Sequence, residues 1–252
     1  MTKKNSISLV DGSGFIFRAY YALPSLTNKK GTPVGAVMGF CNMLFKLLEE
    51  KKSSKIIVIF DTARKTFRNS IYKNYKANRG DPPEDLIPQF ELIRAAVDAF
   101  SISRLELSGY EADDLIASYS KFFAKKGWGI SIVSSDKDLM QLVGDQVHML
   151  DPIKNKLIKR QEVIEKFGVP PEKVIDVQSL AGDSVDNIPG VPGIGLKTGA
   201  LLVNEYGSLE NLLLNYSKIK QNKRRESIEK NLDAIKISKK LVTLKDDIEL
   251  NI

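Results

Sequence analysis

Four short apolar segments in the first part of the chain are separated by stretches whose apolar residues follow helical spacing. The apolar segments are ISLV, KIIVIF, RLEL and GISIVSS, and the candidate helices between them cover residues 35–51, 83–100 and 111–126. Such alternation is typical of an α/β domain with a mostly parallel sheet. We therefore predict a central sheet flanked by helices over residues 1–160.

The strand pattern fades beyond Asp151, where helical segments are interrupted by glycine and proline. We predict that residues 161–252 form a smaller helical lobe packed on the sheet domain. The stretch GVPGIGLKT at 190–198 does not match a P-loop, because Leu196 stands where GxxxxGK requires lysine. A helix-hairpin-helix element at about 174–206 explains the glycines better, and a tight helix connection without a ligand is the alternative.

The composition excludes several kinds of chemistry. The single cysteine, Cys41, rules out a disulfide within the chain and argues against a thiolate zinc site. The single histidine, His148, lies in the alternating segment QVHML and is expected on a strand. No run approaches the roughly 18 apolar residues of a membrane span, and the start lacks the features of a signal peptide. We expect an intracellular, cytoplasmic protein without membrane contact, whose chemistry depends on carboxylates, lysines and bound cations.

Aspartates follow three of the four predicted strands. Asp11, Asp61 and Asp136 come directly after strand segments, and further acidic residues occur in the motifs EADD, DKD and GDSVDN. Each of them taken alone is typical of a helix cap or turn. Because the carboxyl ends of parallel strands share one edge of a sheet, we expect the carboxylates to converge there. Such a cluster needs cations, and Mg²⁺ or Mn²⁺ prefers these oxygen ligands.

The order and spacing of six segments resemble the 5′-nuclease domain of bacterial DNA polymerase I, within the flap endonuclease family. The segments are LVDGSGFIFRAYYALP, VIFDTARKTFRN, YKANR, GYEADDLIAS, SSDKDLMQL and GDSVDNIPGVPGIGLKT. The resemblance implies a PIN-like nuclease fold and two metal ions. It assigns the first ion to Asp61, Glu111, Asp113 and Asp114, and the second to Asp136, Asp138, Asp183 and Asp186. Asp11 would lie near the first ion and take part in catalysis.

The resemblance also implies contacts to DNA. The basic segment 64–79 interleaves cations with aromatic residues and is taken as part of a helical arch at about 64–90. Lys76 and Arg79 are expected at the scissile phosphate as catalytic residues, and Arg68 and Tyr75 are further candidates for that contact. Arg18 is expected to contact the entering strand. In the hairpin, the expected DNA contacts are Gly190, Gly193, Gly195, Lys197 and Thr198, together with a K⁺ ion held by carbonyl groups.

The formal net charge of +7 fits a polyanionic partner. We expect a monomer that hydrolyses DNA at flaps, nicks and duplex 5′ ends in primer removal and repair, acting at the bacterial nucleoid. The chain ends about where the resembled domain would continue into a polymerase, so a covalently linked polymerase domain is expected as a partner. A non-catalytic DNA-binding module and a ribonuclease with a related acidic crevice are the alternatives.

Overall fold

A six-stranded sheet forms the centre of the protein, which a computed structural model describes over residues 5–49, 55–62 and 65–250. The strands are β1 (Ser6–Asp11), β2 (Lys55–Ile59), β3 (Ser103–Leu105), β4 (Gly129–Val133), β5 (Val147–Asp151) and β6 (Lys156–Ile158). Their order is β3-β2-β1-β4-β5-β6, and all neighbours are parallel except β5 and β6. This topology confirms the α/β prediction.

Helices cover both faces of the sheet. They are α1 (Gly12–Ala22), α2 (Gly35–Glu49), α3 (Phe67–Ile71), α4 (Ile87–Ala99), α5 (Ala112–Lys125), α6 (Arg160–Phe167), α7 (Val174–Ala181), α8 (Leu196–Tyr206), α9 (Leu209–Asn215), α10 (Asn222–Lys230) and α11 (Leu232–Val242). None of the helices in this described part of the chain is long and apolar enough to cross a membrane.

Alternating strand residues divide the apolar interior into two layers. Val10 and Val58 pack with α1, α2 and α4 on one face, where Phe40 is fully buried. Leu9 and Ile132 point to the opposite face, which α5 and the later helices cover. Because side chains alternate along a strand, the sheet is buried on both sides, as its near-continuous apolar strand sequences require.

The carboxyl ends of β1, β2 and β4 lie side by side, since β1 pairs in parallel with both neighbours. Asp11 ends β1, and Asp61 and Asp136 follow β2 and β4 within three residues. The topology therefore brings the three strand-end aspartates to one edge of the sheet, as the sequence predicted.

Several elements differ from the sequence prediction. Helix α1 follows β1 without a connecting loop, and the short antiparallel strand β6 extends the sheet beyond the predicted end of the strand pattern. The expected helical arch at 64–90 contains, within its described part, only the five-residue α3 and turns before α4 begins. Arg64 and residues 50–54, which include the predicted end of the second helix, lie outside the described residues.

Candidate active site

A cavity of about 150 Å³ opens at the carboxyl edge of the sheet. Seven of the nine acidic residues expected as metal ligands line it, namely Asp11, Asp61, Glu111, Asp113, Asp136, Asp138 and Asp186. The ends of β1, β2 and β4, the start of α5 and the loop after α7 supply them. Lys76 and Arg79 line the same cavity, so cations and carboxylates share one space.

Asp11 connects β1 to α1. Its Oδ1 accepts a hydrogen bond from the Gly14 amide at 2.8 Å and thereby caps α1, while its Oδ2 accepts one from the Ser134 hydroxyl at 2.8 Å. A Cβ atom on Gly14 would lie 2.4 Å from Asp11 Oδ2, so glycine is required for this close approach. Burial raises the pKa of Asp11 to about 6, and the negative charges of Asp61 and Asp136 add to that rise.

Asp61 and Glu111 meet at the start of α5. The Asp61 amide donates to Ser13 Oγ at 2.9 Å, and Asp61 Oδ1 accepts from the Ala112 amide at 2.7 Å. This acceptor lies at the helix N-terminus, where the helix dipole favours negative charge. Glu111 Oε1 accepts from Lys76 Nζ at 2.8 Å, and Glu111 Oε2 accepts from the Tyr75 hydroxyl at 3.1 Å.

Asp113 points into the cavity without a compensating partner. Its side chain makes no hydrogen bond or ion pair within residues 5–49, 55–62 and 65–250. Burial raises its pKa well above the usual range, and Asp136, Asp11 and Glu111 raise it further. An unpaired carboxylate surrounded by other carboxylates is a group that a bound cation would stabilise.

A second acidic group follows β4. Asp136 Oδ1 accepts from the Asp138 amide at 2.9 Å, and Asp138 Oδ1 accepts from Gln178 Nε2 at 2.5 Å. Burial and the charge of Asp136 raise the pKa of Asp138 to about 6. Asp186, in the loop after α7, pairs with Arg79 and lies 3.8 Å from Lys76 Nζ.

Asp183 lies outside the cavity lining. It pairs with Lys137, and its Oδ1 accepts from the Val185 and Asp186 amides at 2.7 and 3.2 Å. Burial works to raise the pKa of Asp183, but the Lys137 ammonium and the two amides hold it below its usual value. Its contacts orient the loop that carries Asp186.

Asp114 and Arg68 occupy different positions from those that the sequence led us to expect. Asp114 is fully buried outside the cavity lining, and both of its oxygens accept from Arg68 at 2.7 Å. Arg68 is only 1% exposed although it lines the cavity, and its guanidinium is paired with Asp114. The pattern of charges along the sequence does not show whether Asp114 is a metal ligand and Arg68 a phosphate contact, or whether the two form a buried ion pair.

The basic segment packs against the protein body. Tyr75 lines the cavity but is only 5% exposed, so in this arrangement most of its ring is covered by protein. The Lys76 amide donates to the Asp186 carbonyl at 2.9 Å, and Asn78 Nδ2 donates to the Ser184 carbonyl at 2.8 Å. Arg18 lies partly buried on α1, outside the cavity lining.

The glycine-rich connection between α7 and α8 contains two kinds of glycine. Gly190 has a φ of 57°, its amide donates to Ser238 Oγ at 3.0 Å, and a Cβ there would lie 2.4 Å from the Gly182 amide nitrogen. Its role is therefore to close the loop that carries Asp186. Gly193 and Gly195 have open space around them, and α8 begins directly after Gly195. Lys197 is exposed and Thr198 partly exposed in the first turn of α8.

Four polar residues of the site were not predicted. They are Ser13 and Ser134, which hold Asp61 and Asp11, Gln178, which donates to Asp138, and Lys137, which pairs with Asp183. Phe17 also lines the cavity from α1. Ser13, Ser134 and Lys137 are close in sequence to the strand-end aspartates, and this proximity was the available signal. Gln178 lies forty residues from Asp138, and nothing in the sequence indicated that the two side chains would meet.

The donor set fits divalent cations, although the side chains need some rearrangement. Within the described ranges, no group of three or more acidic, histidine or cysteine side chains is arranged to hold an ion as it stands. Lys76 and Arg79 instead occupy oxygens of Glu111 and Asp186. Oxygen-only donors, with one carboxylate unpartnered, are the chemistry that Mg²⁺ and Mn²⁺ require.

Two family models match the chain over nearly its whole length. Residues 6–168 match the 5′-3′ exonuclease N-terminal resolvase-like domain, and residues 169–252 match the 5′-3′ exonuclease C-terminal SAM fold. The resolvase-like domain contains the parallel sheet, and the second domain begins within the helical part of the chain.

Among similar structures is the T5 D15 protein co-crystallised with metal ions, with a TM-score of 0.79, 22% identity, and coverage of 96% of this chain and 90% of that one. The catalytic core of Rad2 in complex with DNA has a TM-score of 0.59 and 18% identity, covering 98% of this chain and 75% of that one. These likenesses support the fold.

Curated relatives are more similar in sequence. DNA polymerase I of Rhizobium leguminosarum is 54% identical over the whole chain, which spans only 26% of that protein. The 5′-3′ exonuclease of Aquifex aeolicus is 39% identical over 98% of this chain and 84% of its own length. With both family models matched, this chain belongs to the 5′-3′ exonuclease family.

Proposed function

We propose that the protein is a structure-specific 5′ nuclease that hydrolyses DNA phosphodiester bonds at 5′ ends and 5′ flaps with two divalent metal ions. The observation that carries this proposal is the single cavity in which seven carboxylates stand beside Lys76 and Arg79. Carboxylates supply the ligands for the ions, and the two cationic side chains supply contacts for a phosphate.

Asp61, Glu111 and Asp113 would hold one ion, and Asp136, Asp138 and Asp186 the other, with Asp11 beside the first. When bound, two Mg²⁺ or Mn²⁺ ions supply Lewis-acid activation of water and stabilise the charge on the attacked phosphate. Asp114 and Asp183 are not included, because both lie outside the cavity lining and their oxygens already have partners.

The residues around the ligands orient them and bind substrate. Ser134 and Gly14 fix the Asp11 carboxylate, while Ser13 fixes the backbone at Asp61. Lys76 and Arg79 would bind the scissile phosphate once their carboxylate partners turn towards the ions. Since contacts to phosphate carry no base code, we expect recognition of DNA shape rather than sequence.

The helical lobe would bind the duplex. The open backbone at Gly193 and Gly195 leads into α8, and a helix N-terminus is suited to phosphate oxygens. Lys197 and Thr198 in its first turn would add side-chain contacts, and hairpin carbonyls would hold a K⁺ ion. The DNA complex of Rad2 and the flap endonuclease complex of T5 D15 with DNA and metal ions support this assignment.

The relatives named DNA polymerase I support a covalently linked polymerase domain as partner, because the chain spans 26% and 29% of two of them. In such a protein the nuclease would remove primers during replication and repair in the bacterial cytoplasm. We propose that the chain acts as a monomer at the nucleoid.

The test is cleavage of a labelled 5′-flap DNA with Mg²⁺ by the protein and by a variant carrying Asp136→Asn and Asp138→Asn. We expect the double variant to lose at least about 100-fold in rate, because ligands of one ion are lost. Asp145→Asn, an exposed carboxylate outside the cavity, is the matched control and should leave cleavage unchanged.

Undiminished cleavage by the double variant would refute the metal assignment. Binding of flaps without cleavage in Mg²⁺ or Mn²⁺ would show a DNA-binding module instead. Preference for a matched RNA flap over the DNA flap would show a ribonuclease.

A further inference from the structure

A buried ion pair lies at the wall of the acidic cavity, where Arg68 is among the lining residues and Asp114 lies behind the lining. The guanidinium of Arg68 on α3 donates from Nη1 and Nη2 to the two oxygens of Asp114 on α5, both at 2.7 Å. The side chains are 1% and 0% exposed. A bidentate geometry of this kind fixes both side chains strongly, and it remains favourable in a buried setting only when the other polar atoms are also satisfied.

Asp114 has no acceptor capacity left. Its Oδ1 also accepts from the Lys245 amide at 2.9 Å, and its Oδ2 from the Glu111 amide at 3.1 Å. An ionised carboxylate offers about four lone-pair positions, and Asp114 uses all of them for protein donors. Coordination of a metal ion by Asp114 would require breaking these contacts.

Arg68 is equally occupied. Its Nε donates to the Leu241 carbonyl at 2.8 Å, and its Nη2 also reaches the Thr243 carbonyl at 3.3 Å. Every guanidinium nitrogen therefore has a partner within the protein. Burial opposes the charge of Arg68, but Asp114 and Glu111 outweigh it and raise its pKa, so the side chain stays cationic.

The pair holds one wall of the cavity. Asp114 fixes the backbone of Glu111 through its amide, and Arg68 Nη1 lies 3.4 Å from Glu111 Oε2, the same oxygen that accepts from Tyr75. Glu111 lines the cavity, whereas Asp114 does not. The pair thus acts on the site through Glu111, and it joins Glu111 to the segment 241–245, which begins in the last turn of α11.

We propose that Arg68 and Asp114 are positioning residues for Glu111, and that through them the geometry of the acidic site depends on the segment 241–245. This inference rests on the proposed metal binding for both measurements, and on the proposed nuclease activity only for its cleavage measurement. Residues that orient a ligand from behind typically affect metal affinity or activity by about 10–100-fold.

The experiment compares Arg68→Met, Asp114→Asn and the double variant by three measurements. Mn²⁺ affinity is measured by calorimetry on the whole protein, thermal stability is measured in EDTA, and flap cleavage gives kcat and the KM for DNA. We expect each single change to weaken Mn²⁺ binding and lower kcat by similar factors of about 10–100. The double variant should be no worse than the more affected single variant, because two residues acting as one unit are not additive.

The KM for DNA should stay within about two-fold in Arg68→Met, since Arg68 lines the cavity but each of its guanidinium nitrogens already donates to a protein acceptor. Arg160→Met and Glu172→Gln are the matched controls. They break an exposed bidentate pair of 2.7 and 2.9 Å on the surface, and they should leave Mn²⁺ affinity unchanged.

Two outcomes would overturn the proposal. A raised KM for DNA with unchanged Mn²⁺ affinity in Arg68→Met would make Arg68 a substrate contact. A further loss of Mn²⁺ affinity on adding Asp114→Asn to Arg68→Met would make Asp114 a ligand in its own right.

Arg68→Lys keeps the buried positive charge but loses the bidentate contact, so it provides a folded variant even if Arg68→Met is too unstable. It should also weaken Mn²⁺ binding, and unchanged binding would contradict the proposal. If the unaltered protein binds Mn²⁺ but cuts no flap, the proposed function fails, while the calorimetric comparison still decides the role of the pair.

Discussion

Individual carboxylates at this site differ in how their charge is balanced. Glu111 and Asp186 are paired with cationic side chains, whereas Asp113 has no partner among the described residues and an elevated pKa. An ionised group in such surroundings destabilises the folded protein at neutral pH unless a cation is bound. Asp113, a proposed metal ligand, should therefore reduce the stability of the folded protein in the absence of metal.

We predict that Asp113→Asn raises the melting temperature in EDTA at pH 8. The folded-state pKa of Asp113 lies above its unfolded value of about 3.9, so its contribution to stability is present below about pH 4 and lost as pH rises through the folded pKa. The advantage of the variant should thus disappear near pH 4.

Calorimetry or thermal denaturation followed by circular dichroism, from pH 4 to 8, measures this difference. Saturating Mg²⁺ should remove or reverse it, because only the unaltered protein gains binding energy. Asp145→Asn is the control and should show no such dependence on pH or Mg²⁺. A variant less stable than the parent in EDTA at pH 8 would contradict the prediction.

The sequence predicted most acidic positions of the cavity because strand ends and motif order determine where carboxylates converge. It did not predict the roles of Arg68 and Asp114, since their formal charges are the same whether they bind each other or a ligand. The orientation of the Arg68 side chain on α3 depends on hydrogen bonds to the carbonyl groups of Leu241 and Thr243. These residues are 173 and 175 positions away in the sequence.

At the scale of elements, periodicity predicted the long helices and the central strands. It missed α1, which starts at the end of β1 with Asp11 as its cap, and β6, whose three residues are too few for a pattern. The described part of the predicted arch forms α3 and turns before α4, and charge and aromatic content do not show how far such a segment is helical or exposed. Its aromatic Tyr75 is buried against α11.

The loop between Gly182 and Gly190 gives a prediction at this scale. Gly190→Ala should destabilise the protein and reduce flap cleavage strongly, because a Cβ at 2.4 Å from the Gly182 nitrogen must displace the loop that carries Asp186. Gly193→Ala is the matched control for stability.

Gly193 also has a positive φ, of 82°, but nothing lies within 4 Å of its Cβ position. Gly193→Ala should lower the unfolding free energy only by the strain of a left-handed backbone conformation, about 1–2 kcal/mol. Urea denaturation measures both variants. Equal losses of unfolding free energy would show that the close approach at Gly190 is unimportant.

At the scale of the whole molecule, a net charge of +7 coexists with a strongly acidic cavity. Under the proposed function, this distribution would separate two tasks, since the net positive charge would attract DNA over a distance and the cavity would supply ligands for cations. Binding of duplex DNA should then depend on salt through each phosphate contact.

We predict that Lys197→Ala weakens duplex binding equally for unrelated sequences and lowers the slope of log Kd against log salt concentration by about 1. Fluorescence anisotropy in the presence of Ca²⁺, at salt concentrations from about 50 to about 200 mM, measures this dependence of Kd on salt. Lys125→Ala, an exposed lysine in the last turn of α5, is the control. The same slope in both variants would mean that α8 does not contact the phosphate backbone.

Hydrogen bonds connect the basic segment 64–79 to the loop after α7, and they limit how this protein can change in evolution. Lys76 and Asn78 belong to the part that matches the first family model, while their partners Asp186 and Ser184 belong to the second. The boundary between the two matched family models, at 168 and 169, thus separates Lys76 and Asp186, which line the same candidate active site. Neither half is an exchangeable module, and a chimera that takes only one of them from a distant relative should fold poorly at the seam and lose activity.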